Sequence, residues 1–434
     1  MATDTLLTIS QVTNESLMVL ENNLPFASQV SRKYDDSFAI EGAKIGDTIN
    51  VRKPPRFIGT SGPNLNVEDY NQTSVPVIVG NPAFNGGTTN PYGDQFHVDT
   101  AFTTKDLRLS LGAFSDNVIK PSVAAIANRI DTIGLLLAKN AVGNIVGTPG
   151  TAPSTLLTYL TASAYMSSEG CPVDDGNRAI IVEPFTSASI VDSLKGLFTP
   201  SDKIAEQYRK GSMGKDTGGM NWKVGQNVAL HSFGSWLGGV ASTLTANTAD
   251  AGILSAGWAS TSTITLTQGA TLTLNQGDVI SIAGIYPVNP QNRKQYGSKT
   301  RTFTVQTTAT GTGGGTFAVT VAPAIITAGQ FQNSVVNTSS ATAAVTPYSI
   351  GVSGVGVNSP QNIMFHKNAF TLAMVDMPLV EGVEFAGRAS DKEAGLSIRV
   401  VRQYTVNNDQ IPCRFDSLWG WAALYPELAI RVCS

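Results

Sequence analysis

The sequence predicts an α+β chain in which an antiparallel β-barrel is inserted into a mixed α/β framework. Three observations predict it. A sustained helical pattern runs from 118 to 142. Alternating strand patterns flank a long Gly-, Pro- and Asn-rich loop in the first quarter of the chain. Between Trp236 and Thr346 the chain becomes a series of short Thr/Val/Ile runs with only six charged residues. At 434 residues the chain is too long for one ordinary domain of roughly 100–200 residues, so two or three are expected.

Residues 5–31 read as a helix, with Leu6, Ile9, Leu17, Leu20 and Leu24 near helical spacing and Pro25 as a kink or stop. Its apolar stripe must be covered, either by its own domain or, as an arm, by a neighbouring subunit. An arm would be separable, and removing 1–31 would then leave a folded subunit. Residues 46–57 alternate as a strand that Pro54 and Pro55 restrict to an edge. Residues 96–109 alternate again. The intervening loop is longer than compact domains usually tolerate without a function. The two strands and this tip are expected to form an extended β-arm, too thin to bury both of its faces alone.

The helix over 118–142 places Ile119, Val123, Ile126, Ile130, Ile133 and Leu137 at spacings of three and four. Ser115 or Asp116 can cap it, Pro121 suits its first turn, and Gly143 can end it. A mixed stretch follows: helix at 153–167, buried strand at 178–183, helix at 187–198, and strand from Lys223 to Ser232. The runs at 262–268, 271–276, 278–284, 301–307 and 316–322 then alternate with Gly-rich turns, the pattern of a barrel or sandwich. Strand signals resume at Ile363. A clean strand runs over 397–406, and the tail from Ile411 is apolar on both faces, as central strands are.

Composition narrows the function. Hydrophobic residues make up 42% and charged residues 14%, against about 25% in ordinary globular chains, leaving much neutral surface for packing against copies. The net charge of -3 offers no basic excess for gripping nucleic acid, so any DNA contact is weak and non-specific. Cys171, Cys413 and Cys433 make no disulfide framework and read as reduced thiols. The start of the chain lacks the basic and apolar segments of a signal peptide, and no apolar run is long enough to span a membrane. Folding in a cytoplasm is therefore expected.

Catalytic patterns are missing. His97, His231 and His366 have no second ligand at metal spacing, no G-x-S-x-G elbow occurs, and the glycines at 311–315 lack the GK[ST] of a phosphate loop. Adjacent acids such as Asp174 and Asp175 read as solvated turn residues. No cofactor is called for, and the chain reads as a non-enzyme. What remains are charges on projecting parts. Lys44, Arg52, Lys53 and Arg56 sit on the β-arm with Glu68 and Asp69 in its loop. Arg293, Lys294, Lys299 and Arg301 cluster in a barrel loop. They read either as solvated faces or as candidate subunit contacts, the latter weak singly at about 0–1 kcal/mol but repeated by symmetry.

The order of parts resembles the major capsid protein fold of tailed bacteriophages, the HK-ninety-seven-type fold. The inserted barrel is similar to that of the P-twenty-two-type podovirus coat proteins. The stretch GDVISIAGIYPVNPQNRKQYGSKTRTFTV at 277–305 resembles that family's inserted domain, and Cys413-Arg414, Leu418-Trp419 and Pro426-Glu427 resemble its closing segment. The resemblance implies an N-terminal arm (1–36), an extended β-arm (37–110), a peripheral domain with a spine helix (111–147) and the first part of an axial domain (148–233). The inserted barrel (234–358) and closing strands (359–434) complete it. It also implies a precursor shell of pentamers and hexamers built around a scaffolding protein with a portal protein at one vertex, open to a decoration protein, formed in the host bacterial cytoplasm and then filled with double-stranded DNA. Carried onto this chain, it makes the loop 243–258 around Asp250 and the basic loop 293–301 candidates for contacts between capsomers. Two other readings stand beside it: a β-rich protein that binds or hydrolyses cell-wall glycan, which the Thr-rich strands and low charge suit, and a bacterial nanocompartment shell protein with the same core fold, against which the inserted barrel argues.

Overall fold

The computed structural model describes residues 9–22, 24–32, 48–80, 91–103, 118–173, 175–193, 218–234, 245–247, 250–269, 271–312, 314–337, 342–348, 358–391 and 396–434. The chain divides into two compact units. One comprises Met1–Val51, Val75–Gly134 and Phe370–Ala422; the other comprises Arg52–Ser74, Leu135–Ala369 and Ala423–Ser434. The boundary falls inside the long helix Lys120–Ala141. Ser115 and Asp116, the caps expected for that helix, lie outside the described residues.

In the first unit the N-terminal helix spans Ile9–Asn22 and buries Thr13, Ser16 and Leu20, one face at spacings of three and four. It packs on the strands Phe385–Asp391 and Leu396–Arg402 of its own chain, which cover this buried face. After Pro25 the chain enters the core. Leu24, Phe26, Ala27 and Val30 are buried, and Ser31 bridges Thr371. Buried Asp131 on the long helix accepts the backbone N–H groups of Phe26 and Ala27, both at 3.1 Å. The Phe26 ring stacks on Trp421 at 5.2 Å, and the Trp421 indole donates to the Ile130 carbonyl at 3.1 Å. Gly134 makes room for this cluster, since a Cβ there would lie 2.6 Å from the Trp421 ring. Residues 24–31 are therefore core, which corrects the expectation that 1–31 could be removed from a folded subunit.

Burial pushes the Asp131 carboxyl up to about 7, against the two backbone bonds and Arg32, which lower it. A carboxyl raised in the folded state binds its proton more tightly there than in the unfolded chain, whose carboxylates titrate near 4. Its contribution is thus fully present below about pH 4 and is lost as pH rises through 7. Asp131→Asn is expected to flatten this slope: its urea midpoint changes less between pH 5 and 8 than that of the parent. An equal change in both proteins would show that Asp131 does not titrate in this window.

The sheet of this unit runs Phe370–Val375, Gln410–Ala423, Leu396–Arg402, Phe385–Asp391, with Gly93–Thr103 also paired to Gln410–Ala423. That last pairing is antiparallel over eleven residues, from Gly93 opposite Gly420 to Thr103 opposite Gln410. The short strand Thr48–Arg52 pairs instead with Ser74–Ile78 and stops before Pro54. The two arm strands expected to pair with each other therefore have different partners. Alternation identifies a strand, whereas its partner is fixed by distant residues that share its register.

In the second unit a sheet runs Ile145–Gly147, Ala429–Cys433, Asn358–His366, Arg178–Val182, Asn221–Val224. All five residues of Arg178–Val182 and of Ala429–Cys433 are buried, as befits interior strands. The helix Leu156–Ser168 contributes Tyr159, Ala162 and Met166 to the core over this sheet, and the helix Pro184–Ser193 contributes Ile190. The two apolar closing strands, Gln410–Ala423 and Ala429–Cys433, are each central, in different sheets.

The same unit contains a closed barrel ordered Ser262–Thr267, Thr316–Ala322, Thr302–Val305, Val279–Ile282, Thr342–Pro347, Thr245–Asn247, the last strand pairing back to the first. Ile264, Leu266, Ile280, Phe303, Val319, Val321 and Val345 fill it. Their period-two partners Thr263, Thr265 and Thr267 face solvent. Closure leaves no unpaired edge, so the barrel does without the charged edge residues that open sheets use against aggregation. The scarcity of charge in this stretch follows from that geometry.

The Gly277-Asp278 pair at the foot of the barrel has a structural task. Gly277 adopts φ 95°, a left-handed conformation that suits glycine, and its carbonyl accepts from buried Arg431 at 3.0 Å. Buried Asp278 accepts from His231 Nε2 at 2.7 Å and from the Asn275 N–H at 2.7 Å. Burial lowers the His231 pKa. The barrel is thereby tied to the strands Leu230–Ser232 and Ala429–Cys433 on either side of it in the sequence.

Candidate subunit-contact surface

Residues 53–73 form an extended loop between the paired strands Thr48–Arg52 and Ser74–Ile78. Prolines at 54, 55 and 63 cannot donate to a ladder, and Gly59 and Gly62 take φ 70° and 116°. The segment therefore leaves the sheet and depends on side chains for its shape. At its root the Lys53 N–H donates to the Thr73 carbonyl at 2.7 Å, closing the loop. Arg56 pairs with Glu427 at 3.2 Å, and the Lys53 ammonium lies 4.7 Å from the Tyr425 ring centroid. Partial burial lowers the Lys53 pKa, Glu427 opposing this and Arg56 adding to it. Further out, the Glu68 carboxylate accepts from the Ile58 and Gly59 N–H groups at 2.6 and 2.5 Å, drawing the two sides together.

The outer loop is apolar and uncovered. Leu65 is 91% exposed and Val67 81%, with Tyr70, Phe57 and Ile58 at roughly half or more. Such side chains in one continuous segment mark an interaction surface more often than chance exposure does.

The charged candidates take different places. Lys44 lies outside the described residues, and Arg52 is exposed at the end of its strand. Lys53, Arg56 and Glu68 hold the loop as described, while Asp69 offers its carbonyl to Gln330 Nε2 at 2.7 Å. The Asp250 carboxylate accepts from the Gly252 and Thr265 N–H groups at 2.9 and 2.8 Å, an intrachain turn that holds its pKa below the usual range despite partial burial. Arg293 donates to the Phe57 carbonyl at 2.9 Å, and Lys294 is exposed.

Lys299 and Arg301 face inward. The Lys299 ammonium donates to the Ile145 carbonyl at 3.2 Å and lies 4.9 Å from the Tyr348 ring centroid, and burial lowers its pKa. Arg301, 3% exposed, pairs with buried Glu169 at 3.3 Å and donates to the Asn333 carbonyl at 2.6 Å. The Tyr296 hydroxyl donates a very short bond to the same Glu169 carboxylate, whose pKa burial raises. The expected basic surface cluster is therefore split, and its last member is an interior ion pair. Sequence spacing missed Glu169 because the pair spans 132 positions.

Each histidine has a carboxylate partner that spacing alone did not single out: His231 with Asp278, His366 with Asp175 at 2.6 Å, and exposed His97 with Asp99 at 3.3 Å. Asp175, expected as a solvated turn residue, is held down to about 2 by the His366 and Asn177 bonds. Among the described residues no three His, Cys, Asp or Glu side chains gather as a metal would require. No helix among them is long and apolar enough to cross a membrane.

An uncovered apolar loop held at its root suits a building subunit, the class to which viral shell proteins belong. The chain belongs to the P22 coat protein family: the family model described as P22 coat protein, gene protein 5, matches residues 1–432. It is a major capsid protein of the tailed-bacteriophage type that forms the icosahedral shell of the virion. Among solved structures the chain is similar to the capsid of Ralstonia phage GP4, at 9% identity and TM-score 0.47, covering 94% of this chain and 87% of that one. It is similar to Mycobacterium phage Che8 at 10% identity and TM-score 0.46, covering 94% and 90%. A virus-like particle from Pyrococcus furiosus aligns at 7% identity and TM-score 0.37, covering 98% of each chain. A sequence search among curated proteins finds no match.

Proposed function

We propose that this subunit gathers as pentamers and hexamers around a scaffolding protein, with a portal protein at one vertex, and that the loop 57–70 packs on a neighbouring copy. The precursor shell forms in the host bacterial cytoplasm and takes up double-stranded DNA, touching it only by weak non-specific contact. The outer surface is open to a decoration protein. The subunit performs no catalysis. Its parts divide as an N-terminal segment (1–36), a segment that carries the extended loop (37–110), a peripheral domain (111–147), an axial domain (148–233 and 359–434) and an inserted barrel (234–358). Arg52 and Lys294, exposed and without an ion pair among the described residues, are the charged candidates for contacts between copies. Lys44 stays with them on its position in the sequence.

The observation that carries the reading is the exposure of Leu65 and Val67 on a loop anchored at its root. Burying one such side chain stabilises by about 1.5–3 kcal/mol, and a shell repeats the gain at every equivalent contact. Co-expression with the neighbouring genes of its phage, followed by negative-stain microscopy, is expected to show closed shells of uniform diameter. Monomers alone, persisting at high concentration, would refute the proposal.

A further inference from the structure

The barrel meets the extended loop of its own subunit on both sides of the loop. On the outgoing side Arg293 donates to the Phe57 carbonyl at 2.9 Å. On the returning side the Gln330 amide works twice: its Nε2 donates to the Asp69 carbonyl at 2.7 Å, and its Oε1 accepts from Asn71 Nδ2 at 3.1 Å. Between these points the Glu68 carboxylate ties the returning side to the Ile58 and Gly59 N–H groups, and the Phe57 and Tyr70 rings lie 6.5 Å apart. Arg293 and Gln330 come from separate barrel loops.

The barrel side of the brace is itself shaped for the task. Arg293 stands in a left-handed conformation at φ 54°, unusual for a non-glycine residue. Its N–H donates to the Asn289 carbonyl at 2.8 Å, and Asn289 Nδ2 donates to the Ser168 carbonyl of the axial helix at 2.7 Å. The turn that aims Arg293 is therefore fastened to the sheet-and-helix body, as is the root of the loop through Arg56 and Glu427. We propose that the inserted barrel is a brace in cis: Arg293 and Gln330 hold residues 57–71 in one extended conformation, presenting Leu65 and Val67 to a neighbouring copy. The inference rests on the reading of that loop as a subunit contact.

Bracing acts on entropy. A free loop of this length samples many shapes, and each must be given up when a neighbour binds. A loop already held binds with less loss, which is the general gain from preorganisation. Arg293 and Gln330 are positioning residues, because the apolar tip and not they would make the contact.

The test uses the full chain as a purified subunit, with hydrogen exchange read at the Ile58 and Gly59 amides and in the barrel strands. In Arg293→Gly/Gln330→Ala the two loop amides are expected to exchange at least tenfold faster while the barrel strands keep their protection. Glycine suits the left-handed position, so the first change adds no strain. Lys294→Ala, an exposed change in the same turn, is the control for exchange alone and should match the parent in the isolated subunit, where no neighbouring copy is present. If the double variant loses barrel protection, Asn71→Ala decides, because it removes a loop-side partner and leaves the barrel intact. Unchanged exchange at Ile58 and Gly59 overturns the brace whatever the shells do. Faster exchange with shells forming at the parental concentration upholds the brace and removes the loop's role in assembly. Faster exchange with failed assembly supports both.

Discussion

Arg301→Leu is expected to lower the stability of the isolated subunit by about 3–5 kcal/mol, the usual cost of removing one partner from a buried ion pair. Arg301 is 3% exposed, and its guanidinium serves Glu169 and the Asn333 carbonyl together. Without it, the Glu169 carboxylate is left in the interior with the Tyr296 hydroxyl and, among the described residues, no cation in ion-pair contact. Burial already raises the Glu169 pKa and Arg301 opposes that rise, so in the variant the group should take up a proton instead of staying charged. The double variant Arg301→Leu/Glu169→Leu should recover much of the loss, because two apolar side chains of similar volume replace the pair without an orphaned charge. Lys294→Glu, on the exposed part of the same loop, should stay within about 0.5 kcal/mol of the parent. Urea denaturation of the monomer measures all three. A loss below about 1 kcal/mol in Arg301→Leu would place that side chain in solvent. Reversing all four basic residues of the loop would therefore strike the fold as well as the surface. Reversal at Arg301 would put two carboxylates in one dry site.

The contrast between Arg301 and Lys294 marks how far the sequence could be read. Local periodicity carried well: the helix Lys120–Ala141, the buried strand Arg178–Val182 and the barrel strands Ser262–Thr267 and Thr316–Ala322 fall within a few residues of where spacing placed them. Their signals depend only on which neighbouring side chains share a face. Partners did not carry. Gly93–Thr103 reads as one side of a β-arm, yet its eleven-residue register belongs to Gln410–Ala423, some three hundred positions away. The basic loop 293–301 reads as a surface cluster because nothing local reveals that Glu169 and Tyr296 close over Arg301. Asp131 sits on a face of the helix whose apolar spacing says nothing of the Phe26 and Ala27 N–H groups it receives. In the loop the charged residues drew attention, although three of them, Lys53, Arg56 and Glu68, are occupied in cis. The apolar residues between them, Leu65 and Val67, are the ones left uncovered, and their signal was present as hydrophobic side chains in a stretch that Pro and Gly keep out of any core.

Leu65→Asp/Val67→Asp is expected to give a folded subunit that fails to close into shells at concentrations where the parent assembles completely. Both side chains are already in water in the isolated subunit, at 91% and 81% exposure, so the change should leave the urea midpoint close to the parental value. The effect appears only on association. Each lost apolar contact forfeits about 1.5–3 kcal/mol, and each buried carboxylate adds a desolvation cost or takes up a proton. Two such losses at one contact, about 3–6 kcal/mol, correspond to a roughly hundredfold to ten-thousandfold weaker contact. A closed shell amplifies this, because every subunit must satisfy several contacts at once. Sedimentation of matched samples separates shells from free subunits, and Leu65→Met/Val67→Ile, which keeps the apolar character, should still assemble. Shells from the aspartate variant at the parental concentration would mean that the tip stays in solvent and that the subunits join through other faces. Failure of the methionine/isoleucine variant as well would show that the contact tolerates no change of shape, and would move the emphasis from burial of apolar area to the fit of the loop.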